Sequence, residues 1–253
     1  MMNIFYDLDA WRRLRDARPA QHSLGFVPTM GNLHPGHLSL IKHSQQDNTD
    51  TLVSLFINPT QFNNPDDFTH YPRTLETDLK QLEQAGVRYC LIPSQDVLYA
   101  DHYRYQLHET RDSETLEGQH RPGHFTGVLT IVMKLLHLCK PTSVYLGEKD
   151  YQQFQLIHDM VHAFFMEINV IACPTIREPS GLAYSSRNAR LTPEAKARAV
   201  QFAQRFNQAS SCEQALASLR AIDIDVEYIQ EHNGRRFAAV YIDKIRLIDN
   251  YRV

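Results

Sequence analysis

Residues 23–57 read SLGFVPTMGNLHPGHLSLIKHSQQDNTDTLVSLFI, and this stretch decides the fold. Residues 23–29 form a short β-rich run, a turn containing Gly31 follows, a helix is expected over 36–45, and residues 52–57 (LVSLFI) are continuously apolar. A strand that is apolar at every position, not every second one, is covered on both faces, as strands of parallel sheets are. A parallel partner is reached only through a crossover, so strand–helix–strand is the unit that builds such a sheet.

The alternation continues along the chain. Residues 74–85 carry apolar side chains at 75, 79, 82 and 85, a helical stripe, with Gly86 at the expected C-terminal stop. Strands are expected at 87–93, 143–146 and 168–176, and helices at 128–139, which Pro141 stops, and at 151–165. This implies a parallel sheet with helices on both sides. The pattern changes after residue 178. A helix at 193–208 has Thr192 as N-cap, Pro193 in the first position and Glu194 in the first turn. Residues 226–230, 236–242 and 246–248 then read as antiparallel strands near the turn signal Asn233-Gly234. The expected organisation is an α/β domain over 1–177 and a small α+β domain over 178–253.

Of the 253 residues, 43% are apolar and 22% charged, which excludes a disordered chain, a collagen-like repeat and a disulfide-stapled mini-protein. Lys and Arg number 26 against 29 Asp and Glu, so no basic excess supports nucleic-acid binding. The start, MMNIFYDLDAWRRLRDARP, lacks the apolar core of a signal peptide and reads as an ordinary amphipathic segment. No run approaches a membrane span. Cysteines 90, 139, 173 and 212 are dispersed and read as core thiols in a reducing compartment, so the expected location is the cytoplasm.

The strongest local signal is PTMGNLHPGH at 28–37, a strand end, a glycine turn and a helix start. A helix N-terminus offers unpaired N–H groups and positive dipole to phosphate, His34 and His37 stand one turn apart, and Gly36 permits close approach. Two alternatives are a capped helix with solvated histidines and a two-histidine metal site, the latter without a nearby third ligand. Gln61, after the second strand, is an uncharged donor and acceptor suited to a small polar substrate, or else a turn residue. Gly147-Glu148-Lys149-Asp150 again joins a strand end to a helix start; Lys149 is a mobile charge for phosphate, and Asp150 a helix-capping acid or a partner for ribose or Mg²⁺. Tyr184-Ser185-Ser186-Arg187 gathers two hydroxyls and a guanidinium, which suits a triphosphate and equally an ST-turn that caps the next helix.

PTMGNLHPGH resembles the HxGH signature of the nucleotidyltransferase superfamily, and within it the pantoate–β-alanine ligase family. The resemblance continues in LFINPTQF at 55–62, YPRT at 71–74, RPGHFTGV at 121–128, GEKDYQQ at 147–153, GLAYSSRN at 181–188 and RLIDN at 246–250. It implies a Rossmann-like nucleotide-binding domain followed by a C-terminal lid that closes over ATP. It also implies an AMP-forming ligase of pantothenate and coenzyme A biosynthesis that uses ATP and Mg²⁺ to join pantoate to β-alanine through a pantoyl adenylate. The roles it implies are phosphate chemistry for His34, His37, Lys149 and Arg187, and nucleotide contacts from Met30, Gly31, Gly36, Gly147, Glu148, Asp150, Ile176, Tyr184, Ser185 and Ser186. Gln61 and Gln153 would hold pantoate, with Pro28, Met30, Asn58 and Arg121 around it, and His124 as a weaker candidate. Mg²⁺ would ride on the ATP phosphates, with Asp150 a candidate ligand.

The resemblance favours a homodimer, with LVSLFI as an edge strand that could pair across it. Tyr184, Ser180, Leu146 and Asp243 depart from the family pattern, Asp243 standing where a glycine is usual, and the second domain is shorter than usual. The other readings are a related nucleotidyltransferase, a family member of weakened activity, and a non-catalytic module using HPGH and HRPGH to bind a nucleotide or metal.

Overall fold

Six parallel strands form one sheet and three antiparallel strands a second in the computed structural model, which describes residues 2–253. The first runs through β1 (Asn3–Phe5), α1 (Leu8–Ala17), β2 (Leu24–Thr29), α2 (Pro35–Asp47), β3 (Asp50–Leu55), α3 (Pro65–Thr69), α4 (Leu75–Gln84), β4 (Tyr89–Leu91), α5 (Gln95–Leu98), α6 (Glu117–His120), α7 (His124–Cys139), β5 (Ser143–Gly147), α8 (Tyr151–Ala163) and β6 (Asn169–Cys173). Its strand order is β1-β4-β3-β2-β5-β6. From β2 the chain builds outward on one side through β3 and β4, then crosses to the other side for β5 and β6. The order reverses between β2 and β5, and ligands of open α/β sheets bind beyond the carboxyl ends of the strands at such a point.

Alternate strand residues supply two cores. Leu24, Phe26, Leu52, Tyr89, Leu91, Val144 and Leu146 pack with Trp11, Leu129, Leu136, Ile157 and Met160 from α1, α7 and α8. Val27, Val53, Leu55, Cys90 and Tyr145 pack with Leu40, Ile41 and Leu82 from α2 and α4. This two-residue alternation into opposite apolar layers is what a sheet covered on both faces requires. All six positions of β3 are buried, and β3 is bonded to β2 and β4. The expectation that LVSLFI forms a sheet edge is therefore overturned: a strand apolar on both faces takes the centre, and the edges are β1 and β6.

Three strands stop sooner than the sequence suggests, and the one expected over 87–93 spans only Tyr89–Leu91. The strand expected to reach residue 57 ends at Leu55, and the one expected to reach 176 ends at Cys173, before Pro174, which has no N–H for a ladder. The helix expected from 128 begins at His124. The N-terminal segment carries a three-residue strand and a helix whose Trp11 is fully buried.

Residues up to Glu148 with Gln152–Cys173 form one compact unit; Lys149–Tyr151 with Pro174–Val253 form the other. The second contains α9 (Pro193–Gln208), α10 (Cys212–Arg220) and the sheet β7 (Asp225–His232), β8 (Arg235–Ile242) and β9 (Ile245–Arg252). Phe202 and Phe206 of α9 and Leu219 of α10 pack on Ala238, Val240 and Ile242 of β8. Thr192 caps α9 as expected, accepting the Ala195 N–H at 3.2 Å. Asn233 and Gly234, at φ +50° and +70°, turn β7 into β8. Asp243 turns β8 into β9 at φ +54°, a conformation that aspartate tolerates better than most residues, so the turn forms without the glycine that the resemblance leads one to expect.

α7 lies close under the turn Pro59–Gln61, where a Cβ on Gly127 would stand 2.4 Å from the Thr60 carbonyl oxygen and 2.7 Å from the Gln61 nitrogen. Both are backbone atoms and cannot swing aside. Gly127→Ala is expected to lose about 1–3 kcal/mol by overpacking, a fall of several degrees in Tm. Differential scanning calorimetry checks this, and an unchanged Tm would refute the close contact.

Candidate active site

β2 delivers the chain into a loop whose backbone donors are taken by two buried side chains, Thr29 and Asp78. Thr29 Oγ1 donates to the Ser54 carbonyl at 2.8 Å and accepts the Gly31 N–H at 3.2 Å. Asp78 of α4, 2% exposed, accepts the Asn32 N–H at 2.9 Å and the Leu33 N–H at 2.8 Å, and Thr74 Oγ1 donates to it at 3.0 Å. Gly31 sits at φ +77°, and a Cβ there would lie 3.0 Å from the Asp78 carboxylate, so this approach favours glycine twice over.

His34 is the N-cap of α2 and Pro35 opens its first turn, where no N–H is missed. That turn carries no acidic residue, so no carboxylate of its own competes for the positive helix end. The rings of His34 and His37 stack with centroids 3.9 Å apart and planes at 27°. The structure thus brings the two histidines together at a helix N-terminus. Among the described residues no group of three His, Cys, Asp or Glu could hold a metal ion.

The second cluster follows β3. Asn58 is 1% exposed, and its Nδ2 donates to Gln61 Oε1 at 3.0 Å. His124 Nδ1 lies 2.8 Å from the Gln61 carbonyl oxygen, which only accepts, so Nδ1 carries a proton. Arg121 Nη1 is 3.0 Å from His124 Nε2 and 3.4 Å from Glu117 Oε2, and its Nη2 reaches the Gln61 carbonyl at 3.5 Å. The helix start at His124 puts that ring beside Arg121. The Arg121–Glu117 ion pair is the loop salt bridge that a plain structural reading of Arg121 suggests, yet it also ties Arg121 to Gln61. Gln152 and Gln153 differ. Gln152 is buried, accepting the Glu117 N–H at 3.0 Å and donating to the Asp112 and Thr115 carbonyls at 2.8 Å each; Gln153 is half-buried.

Gly147 and Glu148 end the first unit at this point of the chain, and Lys149, Asp150, Ile176 and residues 184–187 lie in the second. Asn250 Nδ2 donates to the Lys149 carbonyl at 2.8 Å. Its neighbour Asp249 pairs bidentately with Arg177 at 2.7 and 2.8 Å. Lys149 Nζ is 3.5 Å from the half-exposed Asp150 carboxylate. Tyr184 N–H donates to the Ile176 carbonyl at 3.1 Å, so these two residues are neighbours across a hairpin. Ser185 Oγ accepts the Arg187 N–H at 3.3 Å and caps the short turn Ser186–Arg190; Ser186 is buried. The capping alternative therefore describes Ser185 correctly, and its hydroxyl hydrogen is still able to donate.

A family model described as pantoate-beta-alanine ligase matches residues 3–252. The chain belongs to the pantoate-beta-alanine ligase family. It is 56% identical over 250 residues to a pantothenate synthetase of Legionella pneumophila (strain Lens), covering 99% of each chain. It is 48% identical to that of Coxiella burnetii (strain RSA 493 / Nine Mile phase I), covering 99% of this chain and 96% of the relative. Among solved structures, a pantoate-beta-alanine ligase from Francisella tularensis, complexed with beta-gamma ATP and beta-alanine, superposes with a TM-score of 0.96 at 42% identity, covering 100% and 98% of the chains. A pantothenate synthetase from Thermus thermophilus gives 0.91 at 33%, covering 99% of each.

The family motifs expose most of these side chains in the sequence but not what holds them. YPRT marks Thr74 without showing that its hydroxyl serves Asp78 four residues on. RLIDN marks Asn250 without showing that it pins Lys149 one hundred residues earlier. Asp78 itself leaves one trace, an acid on the otherwise apolar stripe of α4. Asp78→Ala would strand the buried Leu33 N–H, at about 1–3 kcal/mol, and the part-buried Asn32 N–H, at less. Urea unfolding should show that loss, with faster amide exchange at residues 31–34; a wild-type midpoint with unchanged exchange would refute the clamp.

Proposed function

We propose that this chain condenses pantoate with β-alanine in two steps. The pantoate carboxylate attacks the α-phosphorus of ATP, the bond to the bridging oxygen breaks, and pyrophosphate leaves pantoyl adenylate behind. The β-alanine amine then attacks the acyl carbon, sheds a proton and expels AMP, giving pantothenate. The observation that carries this reading is the full-length match to the Francisella protein, whose structure is a complex with beta-gamma ATP and beta-alanine.

A carboxylate is a poor acyl donor and an acyl phosphate a good one, so the protein has mainly to position groups and neutralise charge. The stacked pair His34 and His37, at a helix end free of acids, suits the phosphates of the nucleotide. His37 also takes the role of proton donor. Lys149, Ser185, Ser186 and Arg187 are assigned to the developing pyrophosphate charge. Met30, Gly31, Gly36, Gly147, Glu148, Asp150, Ile176 and Tyr184 are assigned to the nucleotide. Gln61 and Gln153 hold pantoate, with Pro28, Met30, Asn58 and Arg121 around them.

Mg²⁺ fits as an ion carried by the phosphates, with the half-exposed Asp150 carboxylate as its protein ligand. When bound it supplies further neutralisation of phosphate charge. A homodimer in the cytoplasm completes the proposal, with an interface that uses a strand other than the central β3.

One reaction mixture tests the chemistry. Pyrophosphate release should require pantoate, and AMP and pantothenate should accumulate only once β-alanine is added. ADP formation would instead mean phosphoryl transfer and would overturn the reading. His37→Ala should lower kcat by roughly 10²–10³, the scale of losing one preorganised donor; a folded variant with near-normal turnover would remove His37 from the mechanism.

A further inference from the structure

A glutamine amide can offer a ligand either its oxygen or its NH₂ group, and the neighbouring hydrogen bonds decide which. Around Gln61 the decision begins at the Gly127 carbonyl of α7, which can only accept. Asn58 places its Nδ2 3.3 Å from that oxygen. Asn58 Oδ1 therefore faces the other way, where it accepts from the Tyr99 hydroxyl at 2.7 Å and from Thr60 Oγ1 at 3.0 Å. The second Nδ2 hydrogen goes to Gln61 at 3.0 Å, and only an oxygen can receive it. Both donors and both lone pairs of the Asn58 amide are now used, so Asn58 has nothing left for a ligand. The polarity is passed on instead, and Gln61 is left with its Nε2 hydrogens to give.

We propose that Tyr99 and Asn58 act as positioning residues that fix the Gln61 amide as a donor, so that this subsite takes an acceptor oxygen of the substrate. The inference rests on the reading that Gln61 holds pantoate, whose carboxylate and hydroxyl oxygens are such acceptors. Three features keep the relay rigid. The Tyr99 ring is held edge-on by Tyr103 with centroids 5.4 Å apart, and Lys134 Nζ lies 4.9 Å over its face. Burial pushes the Tyr99 hydroxyl up to about 12, so it stays protonated and able to donate at working pH. The absence of a Cβ at residue 127 lets the turn carrying Thr60 and Gln61 sit against α7.

The test is a double-mutant cycle of Tyr99→Phe and Gln61→Ala, read as KM for pantoate, KM for ATP and kcat. Tyr99→Phe keeps the ring and removes the hydroxyl that donates to Asn58 and lies 3.1 Å from Thr60 Oγ1, while Thr60 still donates to Asn58. It should raise KM for pantoate about fivefold, the scale of one hydrogen bond, and leave KM for ATP within about twofold. Gln61→Ala should raise the pantoate KM further, and in that background Tyr99→Phe should add almost nothing, because it acts through Gln61. An unchanged pantoate KM in Tyr99→Phe overturns the relay, as does an undiminished effect in the Gln61→Ala background. If Gln61→Ala itself leaves the pantoate KM at the wild-type value, the assignment of Gln61 to pantoate falls and the relay falls with it. A raised KM in Gln61→Ala with no response to Tyr99→Phe overturns the relay alone.

Discussion

Parallel pairing on both sides of β2 is the constraint on which the rest of the first unit depends. A parallel sheet sends every strand's carboxyl end to one edge, so each crossover helix begins there. The chain turns away from β2 to β3 on one side and later to β5 on the other, and the helices on these paths lie on opposite faces. The residues after β2 and β3, including His34, His37, Asn58 and Gln61, are thereby gathered at one edge by topology before any side-chain contact is made. The short buried strands then act as rigid posts, and the loops they hold carry the residues to which the proposed reaction is assigned.

What the sequence could reveal divides along the same line. Local physics was legible. The continuous apolar run of β3, the proline-opened helix after His34, the Thr192 cap and the Asn233-Gly234 turn each depend on neighbours a few residues away. Tertiary dependence was not. The helix at Cys212–Arg220 was not expected, although it has a local signal, Ser211 accepting from the Gln214 N–H, a serine cap with glutamine three residues on. The three-residue β1 had no signal, since its pairing with β4 lies more than eighty residues away. The mistaken placement of LVSLFI at an edge had a physical source as well. A two-sided apolar strand is what a sheet centre needs and what an edge must avoid.

The loop before α2 separates two jobs that a glycine-rich phosphate loop often combines. Consecutive backbone N–H groups in a turn make a natural anion cradle. Here that cradle is filled from within, by the Asp78 carboxylate on the N–H groups of Asn32 and Leu33. Those two donors are therefore structural. In the proposed reaction the positive charge offered to the nucleotide comes instead from the start of the next helix, through the acid-free first turn of α2 and the two stacked imidazoles. The loop's rigidity and the helix's electrostatics are supplied by different groups, so a variant at Asp78 disturbs the position of His34 without removing any group assigned to the phosphates.

The same division runs through the two adjacent glutamines that open α8. Their side chains differ by one helical step, yet one is buried with four hydrogen bonds to the segment 112–117 and the other is half-buried. Gln152 fixes the backbone at Glu117, and Glu117 in turn pairs with Arg121, which reaches the Gln61 carbonyl. A residue so fully engaged cannot also exchange hydrogen bonds with a substrate during turnover without releasing that segment. In the proposed reaction pantoate is therefore assigned to Gln153 and not to Gln152, which is tied through Glu117 to Arg121. Residue type alone does not separate the two positions; only the family resemblance singles out Gln153, and the physical difference lies in which side chain of α8 meets the 112–117 segment.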